Sequence, residues 1–182
     1  MQTSLNIKEP GLNVFPLGVE RYVVNGGGLT GVQILPDDEI EIINDEGNQI
    51  CEITVFNKDG KSELGILSLN ESKNSSEIKK ILFNKNETSL QALYQLKKRN
   101  LDIEKSKSAI LFDKDTVAKE TIKLKSKDKC YCIISAPGNA MLVHEQNPST
   151  DLTVLVKRAE KKQDKEFSVI PDPVYDPSGE ID

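Results

Sequence analysis

Three cysteines, Cys51, Cys130 and Cys132, and a single histidine, His144, are the residues whose types could do the most chemistry. Together they match a Cys₃His zinc set, and they are also the chain's only thiol nucleophiles and only imidazole base. Cys130 and Cys132 are two apart, so on a strand both thiols point to the same face. Their neighbours are apolar and no second paired motif accompanies them. Inert buried thiols are the simpler reading, and no metal is assigned beyond those four candidates. Gly26-x-Gly28-x-x-Gly31 has the spacing of a dinucleotide fingerprint. That chemistry needs a helix N-terminus after the glycines to hold a pyrophosphate, whereas the residues that follow alternate like a strand and reach Pro36, so a hairpin turn is expected instead. Two polar segments remain. His144, Glu145, Gln146 and Asn147 run in a row between an apolar stretch and a proline turn, where loops on rigid strands gather binding groups. In Gly47-Asn48-Gln49 the first two residues are turn formers, which leaves Gln49 with no conformational reason to be there.

Short strands must position these groups. Residues 18–24, 31–35, 39–42 and 49–56 are β-branched or alternate, separated by Asn/Gly/Asp turns, and 64–69 is expected to close a meander. A polar linker over 70–76 leads into a helical insertion at about 76–101: a short helix over 76–83, then a longer one opened by a Thr88/Gln91 capping box. Leu90, Leu93, Tyr94 and Leu101 are expected to form its buried arc, and Lys97, Lys98 and Arg99 to complement its C-terminal dipole. Strands return at 108–112, 121–124, 141–143 and 152–156, and the run Cys130-Tyr131-Cys132-Ile133-Ile134-Ser135-Ala136 predicts a central strand buried on both faces. The expected class is α+β, predominantly β, with antiparallel sheets forming a sandwich or small barrel. An N-terminal extension (1–17) precedes the β-rich domain (18–158), and a charged, proline-containing linker or arm (159–182) follows it.

The chain has 182 residues and a net charge of −5. That total hides an asymmetry: residues 1–70 carry 4 basic against 11 acidic groups, and 71–129 carry 15 against 9. The overall balance does not suggest a nucleic-acid surface. The N-terminal residues lack the charged and apolar regions of a secretory signal, and no apolar run approaches the roughly 18 residues that span a bilayer. Three sequons, at Asn70, Asn74 and Asn86, are outweighed by an odd cysteine count, and a cytoplasmic protein without membrane attachment is expected.

The segment Asp38–Glu52, with Gly47-x-Gln49 at its end, resembles a block of the urea carboxylase-associated, carboxyguanidine deiminase-like domains. Ala136-Pro137-Gly138-Asn139-Ala140-Met141 followed by Gln146–Leu152 is similar to the variant of that domain at the N-terminus of aminomethyltransferase-like proteins related to the glycine-cleavage T-protein. Over residues 18–158 the resemblance implies a β-rich domain that precedes a folate-dependent transferase, with Gly47, Asn48 and Gln49 as the carried-over block. Tetrahydrofolate would then belong to a downstream domain and no cofactor to this chain. The Cys/His-rich stretch of deiminase-like members is replaced here by a Lys/Asn-rich helix and linker. The expected function is an accessory or docking domain in the one-carbon metabolism of glycine or methylated amines, partnered by a downstream domain of the same polypeptide or by further copies of itself. Two alternatives stand beside it: a hydrolase or deiminase of a small amidine or urea-like compound through Cys51, Cys132 and His144, and a sensor of a small amine or amino acid through Gln49 and the 144–147 loop.

Overall fold

The structure, a computed structural model, describes residues 5–8 (backbone only), 18–138 and 148–159. It is a β-sandwich with two helices on one outer face. Nine strands occur in chain order: β1 (Leu5–Lys8), β2 (Val19–Val24), β3 (Leu29–Ile34), β4 (Glu39–Asn44), β5 (Cys51–Asn57), β6 (Ser108–Phe112), β7 (Glu120–Lys125), β8 (Cys130–Ser135) and β9 (Leu152–Lys157). One sheet has the order β1-β3-β8-β5-β6 and the other β2-β9-β4-β7, so no barrel closes. Every pairing is antiparallel except β1 with β3, and β1 lies within the segment expected to be an extension.

Alternation along the strands builds two cores. Val32, Ile34, Ile53, Val55, Cys132 and Ile134 face the second sheet and meet Val24, Ile40, Ile42, Val154 and Val156. The intervening Leu29, Phe56, Tyr131 and Ile133 face outward and are covered by α1 (Glu77–Leu82) and α2 (Glu87–Lys98). Strands β5 and β8 are therefore buried on both faces; β8 is apolar on nearly all of both, as the uninterrupted run at 130–136 implies, whereas the outward face of β5 buries Glu52 and Thr54 beside Phe56. β4 is covered by one layer and alternates strictly, and its outward-facing, partly buried Glu39 and Glu41 pair with Lys157 of β9.

Three local expectations change. Leu64–Leu67 forms a 3₁₀ turn, not a strand, because Leu64, Ile66 and Leu67 must all turn inward to cover the sandwich edge. The N-cap of α2 is Asn86, whose Oδ1 accepts the Ser89 N–H at 2.7 Å, so the helix opens two residues before the Thr88/Gln91 box. Asn86→Ala should cost about 1 kcal/mol in urea unfolding, the usual loss of an N-cap acceptor. The helix also presents a different face. Ser89, Ala92 and Leu96 are buried, whereas Leu90 and Tyr94 stand 53% and 61% exposed. Ala92 and Leu96 turn into the outer core with Leu93 packed at its margin, and that orientation carries Leu90 and Tyr94 outward.

Below α1, the carboxyl of Glu52 is 1% exposed, and its Oε2 accepts the Glu77 N–H at 2.9 Å. Oε1 has no hydrogen-bond partner among the described residues. Burial pushes this carboxyl above its ordinary range, against the bonds from the Glu77 amide and Ser108. Its folded-state affinity for the proton exceeds that in the unfolded chain, so ionisation opposes folding and stability falls as pH rises from about 4.3 through the raised value. Glu52→Gln removes that term. The variant should gain about 1 kcal/mol at pH 7, with the gain vanishing near pH 4 in thermal unfolding.

Candidate functional site at the Gln49 end of the sandwich

The loops that follow β2, β4 and β8 and the segment that leads into β9 converge at one end of the sandwich. The tight turn after β4 contains Gly47 at φ +80° and Asn48 at φ 57°. The ideal Cβ position at Gly47 lies 2.7 Å from the Ala118 nitrogen, so this site accepts glycine on both conformational and steric grounds. Asn48 uses its backbone, donating its N–H to the Thr116 carbonyl at 2.7 Å. This turn aims Gln49 inward, where it is 1% exposed.

Gln49 joins three strand ends. Its Nε2 donates to the Ile50 and Pro137 carbonyls, both at 2.9 Å, and its Oε1 accepts the Thr150 N–H at 2.8 Å. Asn44 Nδ2 in turn donates to the Gln49 carbonyl at 2.8 Å. Pro137 and Thr150 flank the stretch that carries His144, Glu145, Gln146 and Asn147, which itself lies outside the described residues. One amide thus pins both feet of that stretch. Two buried oxygens beside it, Asn44 Oδ1 and Thr150 Oγ1, have no hydrogen-bond partner among the described residues. They leave acceptor capacity facing the same loop cluster.

The glycine loop belongs to this end too. Gly26 donates to Asp151 Oδ1 at 2.8 Å, and its ideal Cβ position is 2.6 Å from the Ser149 carbonyl oxygen. Close approach of two backbones accounts for the glycine. β3 begins at Leu29, so no helix follows to receive a pyrophosphate.

The cysteines do not converge. Cys130 and Cys132 face the sandwich interior with their sulfurs 3.8 Å apart, and Cys130 Sγ also lies 3.6 Å from Ser126 Oγ. The contact with Cys132 holds the Cys130 thiol below its ordinary range, while the same contact and burial push Cys132 up. Val55 pairs with Cys132, and Cys51 lies four residues earlier on that strand, roughly 13 Å along at about 3.3 Å per residue. Burial raises the Cys51 thiol as well. Among the described residues no three His, Cys, Asp or Glu side chains are grouped to hold a metal, and His144 lies outside them.

The opposite end carries a cluster that residue patterns did not single out. Arg158, just past β9, forks onto Glu20 with Nε–Oε1 at 3.0 Å and Nη2–Oε2 at 2.7 Å. Its Nη1 donates to Asp38 Oδ2 at 2.6 Å and to the Gln33 carbonyl at 3.2 Å. Tyr22 donates its hydroxyl to Glu20, and burial followed by that bond pushes the phenol up to about 12. A signal was available: the chain has 21 lysines and three arginines, so each arginine marks a place where a planar fork does what an ammonium cannot.

No family model matches the chain. It is 32% identical over 176 residues to a trimethylamine-oxide aldolase of Ruegeria pomeroyi. The matched region covers 96% of this chain and 22% of that enzyme, so the chain spans about a fifth of the length of the curated relative. Among the described residues no helix is long and apolar enough to cross a membrane.

Proposed function

We propose that the chain is an accessory and docking domain of a protein that processes methylated amines in one-carbon metabolism, without turnover of its own. The observation that carries this reading is the match itself: nearly all of this chain aligns with about a fifth of an enzyme named for trimethylamine oxide. Two features of the site support it. The thiols are buried and divided between the two ends of the sandwich, which leaves no nucleophile beside a base among the described residues. At the Gln49 end, by contrast, Pro137 and Thr150, which flank the polar stretch 139–147, are both bonded to one buried amide, which suits recognition of a small amine or of a partner surface. In this reading the transferase chemistry and any tetrahydrofolate site belong to a downstream domain of the same polypeptide or to an aminomethyltransferase-like partner, and the assembly works in the cytoplasm.

The test is a region swap. The segment of the Ruegeria pomeroyi enzyme that aligns with this chain is deleted, or replaced by this chain, and loss of the trimethylamine oxide methyl signal is followed by proton NMR. Deletion should abolish consumption and the chimera should restore it, while the isolated 182-residue chain consumes none. Turnover by the isolated chain would overturn the reading, as would full activity after deletion.

A further inference from the structure

The outer face of the first sheet carries a cationic groove that neither core nor site explains. Gln33, Lys58, Arg99, Lys129 and Tyr131 line a cavity of about 260 Å³ where β3, β8 and β5 meet the end of α2. Arg99 also lines a cavity of about 550 Å³ with Tyr94 and Lys98, so the two adjoin at its side chain. Among the described residues neither lining contains a carboxylate. The guanidinium of Arg99 sits 4.8 Å over the Tyr131 ring and the ammonium of Lys98 sits 4.9 Å over Tyr94, which fixes cations above aromatic faces. Lys58 and Lys129 are exposed and form no ion pair among the described residues.

From this we infer that the groove is the docking site of the chain's own acidic arm, residues 166–182. Charge is the first argument: that stretch holds five carboxylates, Glu166, Asp172, Asp176, Glu180 and Asp182, and no lysine or arginine. Chemistry beyond charge also matches. Phe167 and Tyr175 provide aromatic anchors, and Pro171, Pro173 and Pro177 favour the extended backbone that aromatic-lined grooves accept at low entropic cost.

The place where the described chain ends is the second argument. Ala159 donates its N–H to Asp38 Oδ1 at 2.9 Å, and the neighbouring Asp37 N–H bonds to the Ser126 carbonyl, which leads within three residues to Lys129. Arg158 itself bonds to the carbonyl of Gln33, a groove residue. The arm therefore starts at the end of the sandwich where the groove residues Gln33 and Lys129 lie. The seven residue-to-residue steps from Ala159 to Glu166 span about 23 Å when extended.

Carbodiimide coupling of the full 182-residue chain, with peptides mapped by mass spectrometry, tests the assignment. Lys58, Lys98 and Lys129 should couple to carboxylates of 166–182 within the monomer band. Coupling confined to the dimer band would assign the groove to a second copy, and couplings elsewhere or none would leave the arm unattached; each overturns the inference. In a second measurement chymotrypsin cleavage at Phe167 and Tyr175 is timed at fixed ionic strength. Lys58→Ala/Lys129→Ala should accelerate it roughly tenfold, because cleavage follows the population of the undocked arm. An unchanged rate in the folded variant would overturn the docking, and the wild-type coupling map decides the matter if the variant does not fold.

Discussion

Arg158→Met is expected to lower the unfolding free energy by about 3–5 kcal/mol, the range seen when one partner of a buried ion pair is deleted. The Glu20 and Asp38 side chains are 5% and 2% exposed, so neither carboxylate gains water when the guanidinium goes. Asp38 retains the amides of Leu35 and Ala159, both at 2.9 Å, and Glu20 retains the Tyr22 hydroxyl. Those neutral donors cannot balance two buried charges, so the loss includes the cost of uncompensated charge beyond the four hydrogen bonds that Arg158 donates. Arg158→Lys should recover little, since one ammonium cannot fork onto Glu20 while also reaching Asp38 and the Gln33 carbonyl. Adding Glu20→Gln to Arg158→Met removes one uncompensated charge and should return about 1–2 kcal/mol. Urea unfolding with constant m-values checks the series; a loss under 1 kcal/mol for Arg158→Met would show that the cluster is solvated.

What could be read from residue order was what a single layer decides. The apolar run at 130–136 announces a strand buried on both faces, and Ile40 and Ile42 between Glu39, Glu41 and Ile43 announce one half covered. Turn chemistry at Gly47-Asn48 was equally visible, since a positive φ at two successive residues has few other occupants. Contacts between layers were not visible in this way. The periodicity of α2 contains two competing apolar arcs, and only the packing of Ala92 and Leu96 into the outer core selects the one that leaves Leu90 and Tyr94 outside. Leu64, Ile66 and Leu67 have β-strand composition, but the sandwich edge requires all three on one side, which a strand cannot supply. Gln49 stood out by elimination, yet its partners Pro137 and Thr150 lie about a hundred residues away, and no local pattern encodes such a pairing.

The two ends of the sandwich share β9. Thr150, just before it, is held by Gln49, and Arg158, just after it, by Glu20 and Asp38. Between those staples β9 pairs with both β2 and β4 and supplies Leu152, Val154 and Val156 to the core. Residues 139–147 precede it in the chain and the acidic residues 166–182 follow it, so the hydrogen bonds at both termini of β9 fix the points from which these two segments depart.

The staple at the loop end can be turned into a titratable one. Gln49→Leu should cost about 2–3 kcal/mol, because the Pro137 carbonyl and the Thr150 amide lose a buried partner. Gln49→Glu is more discriminating. At low pH the introduced carboxyl is protonated, donates to Pro137 as the amide does, and still accepts from Thr150. Ionised, it accepts only, faces the Pro137 and Ile50 carbonyls, and is buried with no cation paired to it among the described residues. Its folded-state proton affinity must therefore exceed the unfolded value of about 4.3, so the variant loses stability relative to wild type as pH rises through the raised value and is weakest at neutral pH. Thermal unfolding of both proteins from pH 4 to 8 should show melting temperatures that nearly meet at the acid end and diverge by several degrees at pH 7, roughly the shift that 1–2 kcal/mol produces in a domain of this size. Amide exchange at Thr150 should quicken over the same interval. A pH-independent gap would mean that Gln49 packs without clamping, and the polar loop would then have to be held by its own residues.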